Sequence, residues 1–187
     1  MKSRALITGA STGIGYAYAK HLSKEGWILD LISENAERSM KSKDALNYPV
    51  ANFYLADLSK KSSIKEIISN YETPDLIVAN AGIAINGSIG KLSESQKEDA
   101  YYLMCGGIID LIEGFAPKMI KKGTGRIVII SSIGAITAMP KSSIYSSAKA
   151  GIYMYGKSIS AELENKGISV TVSLPGYVET EAHKKAG

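Results

Sequence analysis

Short apolar segments alternate along the chain with longer amphipathic ones. The short segments are mostly rich in Ile, Val and Leu, which is typical of strands buried on both faces of a parallel sheet; they cover residues 5–8, 27–32, 50–55, 75–79, 126–130 and 168–174. The longer segments have apolar residues at helical spacing and cover residues 14–25, 36–46, 60–70, 93–122 and 143–165. This alternation predicts one α/β domain with a doubly wound parallel sheet, whose ligand site lies beyond the carboxyl ends of the strands.

Local signals indicate where several helices begin and end. Ser93 and Gln96 have the spacing of a capping box, which predicts the start of the fourth helix. Gly26 and Gly167 follow the first and last helices and are typical of helix C-termini. Pro117 lies inside the fourth helix and has no amide hydrogen, so we expect a kink there.

The composition excludes several classes of protein. The chain has 187 residues, of which 45% are hydrophobic and 21% charged, with a formal net charge of +4, so it can form a packed core and is not a disordered region. No apolar run approaches the ~20 residues of a membrane span, and the lysines are scattered, so we predict neither a membrane nor a nucleic-acid partner. Cys105 is the single cysteine, which excludes an internal disulfide and favours a reducing, cytoplasmic location.

A glycine-rich turn follows the first predicted strand. Gly9, Gly13 and Gly15 are spaced Gly-x-x-x-Gly-x-Gly between Thr8 and the helix predicted to begin at Ile14. Such glycines let the backbone approach a ligand closely, and the N-terminus of the helix presents unpaired N–H groups to a pyrophosphate. The turn therefore predicts a dinucleotide site; a plain tight turn is the alternative.

Two polar motifs follow other strands at the same edge of the predicted sheet. Asn80-Ala81-Gly82 comes directly after the fourth strand, where Asn80 either braces the neighbouring strand ends or faces a cofactor. Ser131 and Ser132 close the fifth strand. Because parallel strands end at one edge, we expect both motifs to lie near the glycine turn.

A tyrosine followed four residues later by a lysine places both side chains on one face of a helix. The chain contains three such pairs, Tyr16/Lys20, Tyr145/Lys149 and Tyr153/Lys157. The middle pair stands out because Tyr145 follows Ser132 by one loop. At the same distance before the other two tyrosines, the chain has Ser3, at the opposite edge of the sheet, and Pro140.

These motifs, in their order along the chain, resemble those of the short-chain dehydrogenase/reductase family, in its simple single-domain branch. The matching features are the glycine turn at residues 8–15, Asp57, Asn80-Ala81-Gly82, Ser132, Tyr145/Lys149 and the Pro-Gly-Tyr-Val-Glu-Thr run at residues 175–180. The resemblance covers nearly the whole chain. It implies a Rossmann-type fold with strand order 3-2-1-4-5-6 and helices on both faces of the sheet.

The resemblance also implies an oxidoreductase that uses NAD or NADP to interconvert a carbonyl and a secondary alcohol by hydride transfer. Tyr145 would be the general acid/base, and Ser132 would hydrogen-bond the carbonyl oxygen. Lys149 would bind the nicotinamide ribose and favour the phenolate form of Tyr145.

The implied coenzyme site draws on most of the strand ends. Asp57 and Leu58 would contact adenine, and Val178 and Thr180 would contact the carboxamide of the nicotinamide. The implied coenzyme-binding residues are Gly9, Ser11, Thr12, Gly13, Ile14, Gly15, Ser33, Glu34, Asp57, Leu58, Asn80, Ala81, Gly82, Tyr145, Lys149, Pro175, Gly176, Val178 and Thr180.

The choice between NAD and NADP depends on residues after the second strand. Members of the family that prefer NADP commonly carry a basic residue near position 34 or just before the second motif glycine, where this chain has Glu34 and Thr12. A carboxylate near the adenosine ribose accepts a hydrogen bond from a 2′-hydroxyl and repels a 2′-phosphate, so NAD is favoured. Alternatively, Glu34 is a solvated loop residue and Ser33 or Arg38 binds a phosphate.

The chain departs from the family pattern at Met104, where the family usually has an asparagine that kinks the helix and anchors a water-linked proton relay. A thioether donates no hydrogen bond and accepts one only weakly. Either a water or the backbone of Gly106 and Gly107 replaces the relay, or turnover is slow or absent. The competing function is therefore a catalytically weak nucleotide-binding or regulatory protein of the same fold.

The chain stops seven residues after Thr180, where the family continues with a substrate-covering helix, a last strand and a tail. We therefore expect residues 1–187 to be a C-terminally incomplete NAD(P)-binding domain whose substrate the sequence does not identify. The candidate pocket residues are Ile83, Ile133, Met139 and Tyr177, an apolar set that also suits ordinary core lining.

The family resemblance further implies a homodimer or homotetramer built on a four-helix interface. The residues that suit either this interface or the sheet-facing core are Ile108, Ile109, Ile112, Ile152 and Tyr155. His21 and His183 do not have metal-ligand spacing, so we predict no metal site.

Overall fold

Strands and helices alternate through most of the chain. The computed structural model describes residues 2–44, 46 and 52–178. The strands are β1 (Arg4–Thr8), β2 (Ile28–Ser33), β3 (Asn52–Leu55), β4 (Leu76–Ala79), β5 (Gly125–Ile130) and β6 (Ile168–Ser173). The α-helices are α1 (Gly13–Lys24), α2 (Ala36–Asp44), α3 (Lys61–Asn70), α4 (Glu94–Tyr101), α5 (Gly107–Lys122) and α6 (Ser143–Leu163). Among the described residues, no helix is both long enough and apolar enough to cross a lipid bilayer.

The six strands form one sheet in the order β3-β2-β1-β4-β5-β6, and all neighbouring strands are parallel. The strand order reverses between β1 and β4, which opens a crevice at the carboxyl ends of these two strands. The predicted Rossmann-type fold is confirmed, and the predicted element ends lie within two residues of those observed in the described parts of the chain.

The sheet has an apolar core on each face, which explains why its strands are apolar runs rather than alternating patterns. Leu6 belongs to the core that α3, α5 and α6 cover. Its neighbours Ala5 and Ile7 point to the other face, where they pack with Ala19 and Leu22 of α1. Residues that are consecutive in β1 are therefore buried on opposite sides of the sheet.

The long fourth helix predicted from the sequence is interrupted by a π-helical segment, Tyr102–Gly106, between α4 and α5. The N–H of Gly107 donates to the carbonyl oxygen of Tyr102, five residues back. An ideal Cβ on Gly107 would lie 3.1 Å from that oxygen and 3.2 Å from the carbonyl oxygen of Leu58, so a larger residue would be crowded. The chain thus forms an irregular helical turn beside Met104 without the asparagine of the family pattern.

Helix α5 runs through Pro117 and is helical on both sides of it. The kink expected there stays a prediction. Pro117 is exposed, so water can bond the carbonyl group that its missing N–H leaves unpaired.

The capping box predicted for α4 is confirmed, since Ser93 and Gln96 each accept a hydrogen bond from the other's backbone N–H.

A buried ionic network joins the first three strands at one position. Asp30 lies in β2 with a fully buried side chain, and NH1 of Arg4 in β1 donates to both of its carboxylate oxygens, at 3.0 and 2.8 Å. Nδ2 of Asn52 in β3 donates to the same carboxylate at 2.6 Å. The cross-strand bonds therefore compensate the desolvation of Asp30 and connect β1, β2 and β3.

We predict that Arg4→Met destabilises the protein by about 3–5 kcal/mol, because it leaves the Asp30 carboxylate buried without its cation. The double variant Arg4→Met/Asp30→Leu is expected to recover most of that loss, since it removes the buried charge itself. Urea unfolding of the two variants and the wild type measures both effects. A loss below about 1 kcal/mol for Arg4→Met would contradict this role of the ion pair.

Candidate active site

The glycine turn after β1 has a shape that only glycine permits at key positions. Gly9 and Gly13 have positive φ angles of 64° and 57°. An ideal Cβ on Gly15 would overlap the carbonyl oxygen of Gly9. Thr12 precedes α1 in extended conformation and, within the described residues, its side chain makes no capping hydrogen bond. The N–H groups of the first turn of α1 are therefore available to an anion.

Asn80 braces this turn. Its Nδ2 donates to the carbonyl oxygens of Thr8 and Gly9, both at 3.1 Å. In return, the hydroxyl of Thr8 accepts the backbone N–H groups of Asn80 and Ala81, at 2.9 and 3.0 Å. Of the two roles open to Asn80 from the sequence, the structure supports bracing, because its amide nitrogen is used to join the ends of β1 and β4.

The residues after β2 place one acidic and one basic side chain close together in sequence. Ser33 is buried and its carbonyl oxygen accepts the N–H of Ala56 at 2.9 Å, whereas Glu34 is exposed. Oδ1 of Asn35 accepts the N–H of Arg38 at 2.8 Å and so starts α2. Nε of Arg38 is buried and has no hydrogen-bond partner among the described residues.

Asp57 and Leu58, the residues implied for adenine, have different environments. Asp57 is exposed, and its Oδ1 accepts the N–H and the hydroxyl of Ser59 at 2.9 and 2.6 Å. The hydrogen bond from the Ser59 hydroxyl lowers the pKa of Asp57. The side chain of Leu58 is buried in the core that α5 and α6 cover. Leu58 therefore has only its backbone to offer to a ligand at this edge.

Ser132 and Tyr145 both lie close to Gly134. An ideal Cβ on Gly134 would be 3.5 Å from Oγ of Ser132, 3.3 Å from Cε1 of Tyr145 and 2.9 Å from Sδ of Met139. Oγ of Ser132 accepts the N–H of Gly134 at 3.1 Å, so the hydrogen of this hydroxyl can be donated to another group. Gly134 was not predicted from the sequence, where its position two residues after the candidate serine was the available signal.

Lys149 is anchored to the end of β5 by two hydrogen bonds. Its Nζ donates to the carbonyl oxygen of Ile130 at 2.9 Å, and its own carbonyl oxygen accepts the hydroxyl of Ser131 at 2.8 Å. Nζ lies 5.9 Å from the centroid of the Tyr145 ring. The residue is only 4% exposed, and this burial lowers the pKa of Lys149 to about 8.

Met104 lies in the same neighbourhood as the Lys149 amine. Gly82 lies between them: its ideal Cβ would be 3.6 Å from Cγ of Met104 and 3.7 Å from Nζ of Lys149. Met104 is fully buried. The position of the family's asparagine therefore holds an apolar side chain, and the hydrogen-bond acceptor described for Nζ is instead the backbone of Ile130.

The segment after β6 is held against the same loop. The N–H groups of Ser131 and Ile133 donate to the carbonyl oxygens of Ser173 and Pro175, at 2.8 and 3.0 Å. The coenzyme residues predicted at 175–178 thus begin beside residues 131–133, which follow β5. Thr180 and His183 lie outside the described residues.

The structure therefore brings the predicted residues to one edge of the sheet. The glycine turn, Asn80 and Ser132 all lie at the carboxyl ends of strands, as do the last residues of β2 and β6. Helix α6 places Tyr145 and Lys149 beside β5.

Comparison with known proteins gives a consistent result. The model of the short chain dehydrogenase family matches residues 3–187. The chain is 30% identical to the 3-oxoacyl-acyl-carrier-protein reductase FabG of Chlamydia trachomatis, covering 96% of this chain and 75% of that protein. It is 32% identical to nodulation protein G of Azospirillum brasilense, and the match covers 95% of this chain and 75% of that protein. Among solved structures, a short-chain dehydrogenase from Sphingobium yanoikuyae in complex with NADPH has a TM-score of 0.90 at 28% identity. The match covers 99% of this chain and 75% of that structure.

The buried amine predicts a specific dependence of stability on pH. Below pH 8 the native protein carries a buried charge at Lys149, and between pH 8 and about 10.5 the native state has lost this proton while the unfolded state still binds it. The free energy of unfolding of the wild type, relative to Lys149→Met, should therefore rise by about 3 kcal/mol between pH 7.5 and 10.5. Urea unfolding at several pH values measures this difference, and a flat difference would show that the amine is not desolvated.

Proposed function

The chain belongs to the short-chain dehydrogenase family, and from that premise we propose that it interconverts a ketone and a secondary alcohol with Tyr145 as the general acid/base. The observation that carries the proposal is the grouping of Ser132, Tyr145 and the buried Lys149 at one edge of the sheet. As an oxidoreductase of this family the protein uses NAD(P), which when bound supplies or accepts the hydride.

The glycine turn fits such a coenzyme. Side chains at Gly9 and Gly15 would collide with neighbouring groups of the turn, so its backbone forms an open cradle at the N-terminus of α1. We assign the pyrophosphate to this cradle, with Ser11, Thr12 and Ile14 around it. Leu58 would contribute its backbone, and Pro175, Gly176, Val178 and Thr180 belong to the nicotinamide side of the proposed site.

Ser132 would position the substrate. Because its Oγ accepts the N–H of Gly134, its hydroxyl hydrogen remains free and would be donated to the carbonyl oxygen of the substrate. The hydroxyl of Tyr145 would then give its proton to the same oxygen during reduction and take it back during oxidation. Preorganised donors of this kind stabilise the negative charge that develops on the oxygen.

Lys149 would act on Tyr145 through its charge and on the ribose through its donors. With a pKa of about 8, the amine is mainly protonated at pH 7, so it would hold a positive charge 5.9 Å from the centroid of the Tyr145 ring. One of its three donors is bound to Ile130, which leaves the others to bind ribose hydroxyls.

For the coenzyme, we propose a preference for NAD. The exposed carboxylate of Glu34 at the end of β2 would accept a hydrogen bond from a ribose 2′-hydroxyl and repel a 2′-phosphate. Arg38 is the competing feature, because its buried Nε has no partner among the described residues. If Arg38 binds a phosphate, NADP is preferred instead.

We further propose that residues 1–187 form a single coenzyme-binding domain, that the protein is cytoplasmic, and that it forms a homodimer or homotetramer. Of the residues considered for an interface, Ile108, Ile112 and Ile152 are buried in the core, so they stabilise the subunit rather than an interface.

A catalytically weak nucleotide-binding protein is the second candidate, and Met104 favours it. Its buried thioether occupies the neighbourhood of Lys149 where a polar group would conduct protons. The two candidates differ in whether Tyr145 is needed for any turnover.

We predict that Tyr145→Phe lowers kcat for ketone reduction by about 10²–10⁴-fold, because no proton donor remains at the carbonyl oxygen. The matched control is Tyr153→Phe, which alters the other Tyr-x-x-x-Lys pair of α6 and should leave kcat unchanged. Absorbance of the reduced nicotinamide measures turnover, and titration of NADH fluorescence checks that both variants bind coenzyme. NADH binding without turnover in wild type and Tyr145→Phe alike would support the regulatory candidate.

We predict that Glu34→Gln improves NADPH affinity relative to NADH by about 3- to 10-fold, since it removes the repulsion of the 2′-phosphate. Glu37→Gln on the same segment, where the carboxylate pairs with Lys41, is the control. Dissociation constants for both coenzymes measure the ratio. If Arg38→Gln weakens NADPH selectively and Glu34→Gln changes nothing, the preference for NAD is wrong.

A further inference from the structure

Large apolar side chains are exposed on two loops next to the proposed catalytic residues. Ile83 follows Gly82, which lies beside the Lys149 amine, and is 43% exposed. Ile133 follows Ser132 directly and is 47% exposed, and Ile136 is 66% exposed. With Met139, whose sulfur lies against Gly134, these residues form what we call the apolar rim (Ile83, Ile133, Ile136 and Met139).

The two loops that carry the apolar rim are joined to each other. The N–H of Gly87 in the loop after β4 donates to the carbonyl oxygen of Lys141 in the loop after β5, at 2.7 Å. The hydroxyl of Ser142 donates to Oδ1 of Asn86 at 2.7 Å. Lys141 adopts a left-handed backbone with φ 65°, which a non-glycine residue adopts at a cost. The rim is thus held by bonds between its loops rather than presented on two independent segments.

The charged groups of these loops do not suit a cationic substrate. Asn86 and Ser142 bond each other across the loops. Residues 81–92 and 131–142 contain no acidic residue, and their two charged residues are Lys91 and Lys141. A cationic substrate would find no counter-charge there, and a polyhydroxylated one would leave hydroxyls facing isoleucine side chains.

From this arrangement we infer that the substrate is a ketone, or the matching secondary alcohol, with an extended apolar substituent that lies on the apolar rim. The inference rests on the proposed function, since it places the reacting carbonyl between Ser132 and Tyr145. The exposed isoleucines are then the part of the site that gives binding energy by releasing water from apolar surface. An interface with a second copy of the chain is the competing occupant of the same surface.

The test is a series of methyl ketones from 2-butanone to 2-decanone, assayed with NADH and NADPH, with hydroxyacetone as the polar counterpart of 2-butanone. We expect kcat/KM to rise about 2- to 4-fold for each added methylene while the chain still reaches the rim. Hydroxyacetone should react at least about tenfold more slowly than 2-butanone, because its hydroxyl meets no partner.

Two variants connect this slope to the rim. Ile83→Ser and Ile133→Ser should each flatten the dependence on chain length, whereas Ile120→Ser, at an exposed isoleucine in the last turn of α5, should leave it unchanged. Thermal unfolding of all three confirms that they fold. A binding measurement without turnover adds to this: octanamide, whose carbonyl is not reduced, should raise the melting temperature of the coenzyme-loaded protein more than acetamide does.

The outcomes separate the inference from the function on which it rests. Turnover that is independent of chain length, or faster with hydroxyacetone, overturns the apolar substrate class and leaves the ketone reductase in place. No turnover of any ketone or secondary alcohol with either coenzyme overturns the proposed function and this inference together. If Ile83→Ser or Ile133→Ser converts a dimer to a monomer in sedimentation experiments, the rim is an interface and the inference is wrong.

Discussion

A hydrogen bond between the buried amine of Lys149 and the carbonyl oxygen of Ile130 is the interaction on which the proposed chemistry depends. It holds a positive charge at the end of β5, away from water, within 5.9 Å of the Tyr145 ring centroid. In such surroundings a charge is screened less than at the surface. The hydroxyl of Ser131 donates to the backbone carbonyl oxygen of the same residue, so the lysine is held by its backbone as well as by its amine.

The parallel sheet makes this arrangement possible because it collects strand ends at a single edge. The turn after β1 and the motif after β4 are joined by four hydrogen bonds between Asn80, Ala81, Thr8 and Gly9, so the cradle is held to the end of the neighbouring strand. At the amino end of β1, the buried Arg4–Asp30 pair connects β1 to β2. Stability is therefore built into the strands, and the loops beyond their carboxyl ends are left to bind ligands.

Much of the fold could be predicted because its signals are local and repeated. Apolar runs located the strands, and the position of Tyr145/Lys149 after Ser132 distinguished this pair from the two other pairs with the same spacing. The π-helical turn at Tyr102–Gly106 was not predicted, because the apolar spacing of residues 93–122 is that of one continuous helix; at this turn Gly107 lies close to the carbonyl oxygen of Leu58, which is distant in sequence. The hydrogen bond from Lys149 to Ile130 could not be predicted either, because the sequence does not show which carbonyl oxygen at the end of the strand the amine reaches. Contacts between elements distant in sequence decided these features.

The most direct test of this account is the titration of the Lys149 amine itself. NMR of protein labelled with ¹⁵N at the lysine side chains, with Lys149 assigned from the spectrum of a Lys149→Met variant, follows its protonation as the pH is raised. Burial at the end of β5 predicts a midpoint of about 8 for this amine, against the ordinary lysine value of 10.5. A midpoint near 10.5 for Lys149 would show that it is solvated, and would contradict the claim that a buried ammonium group prepares Tyr145 for catalysis.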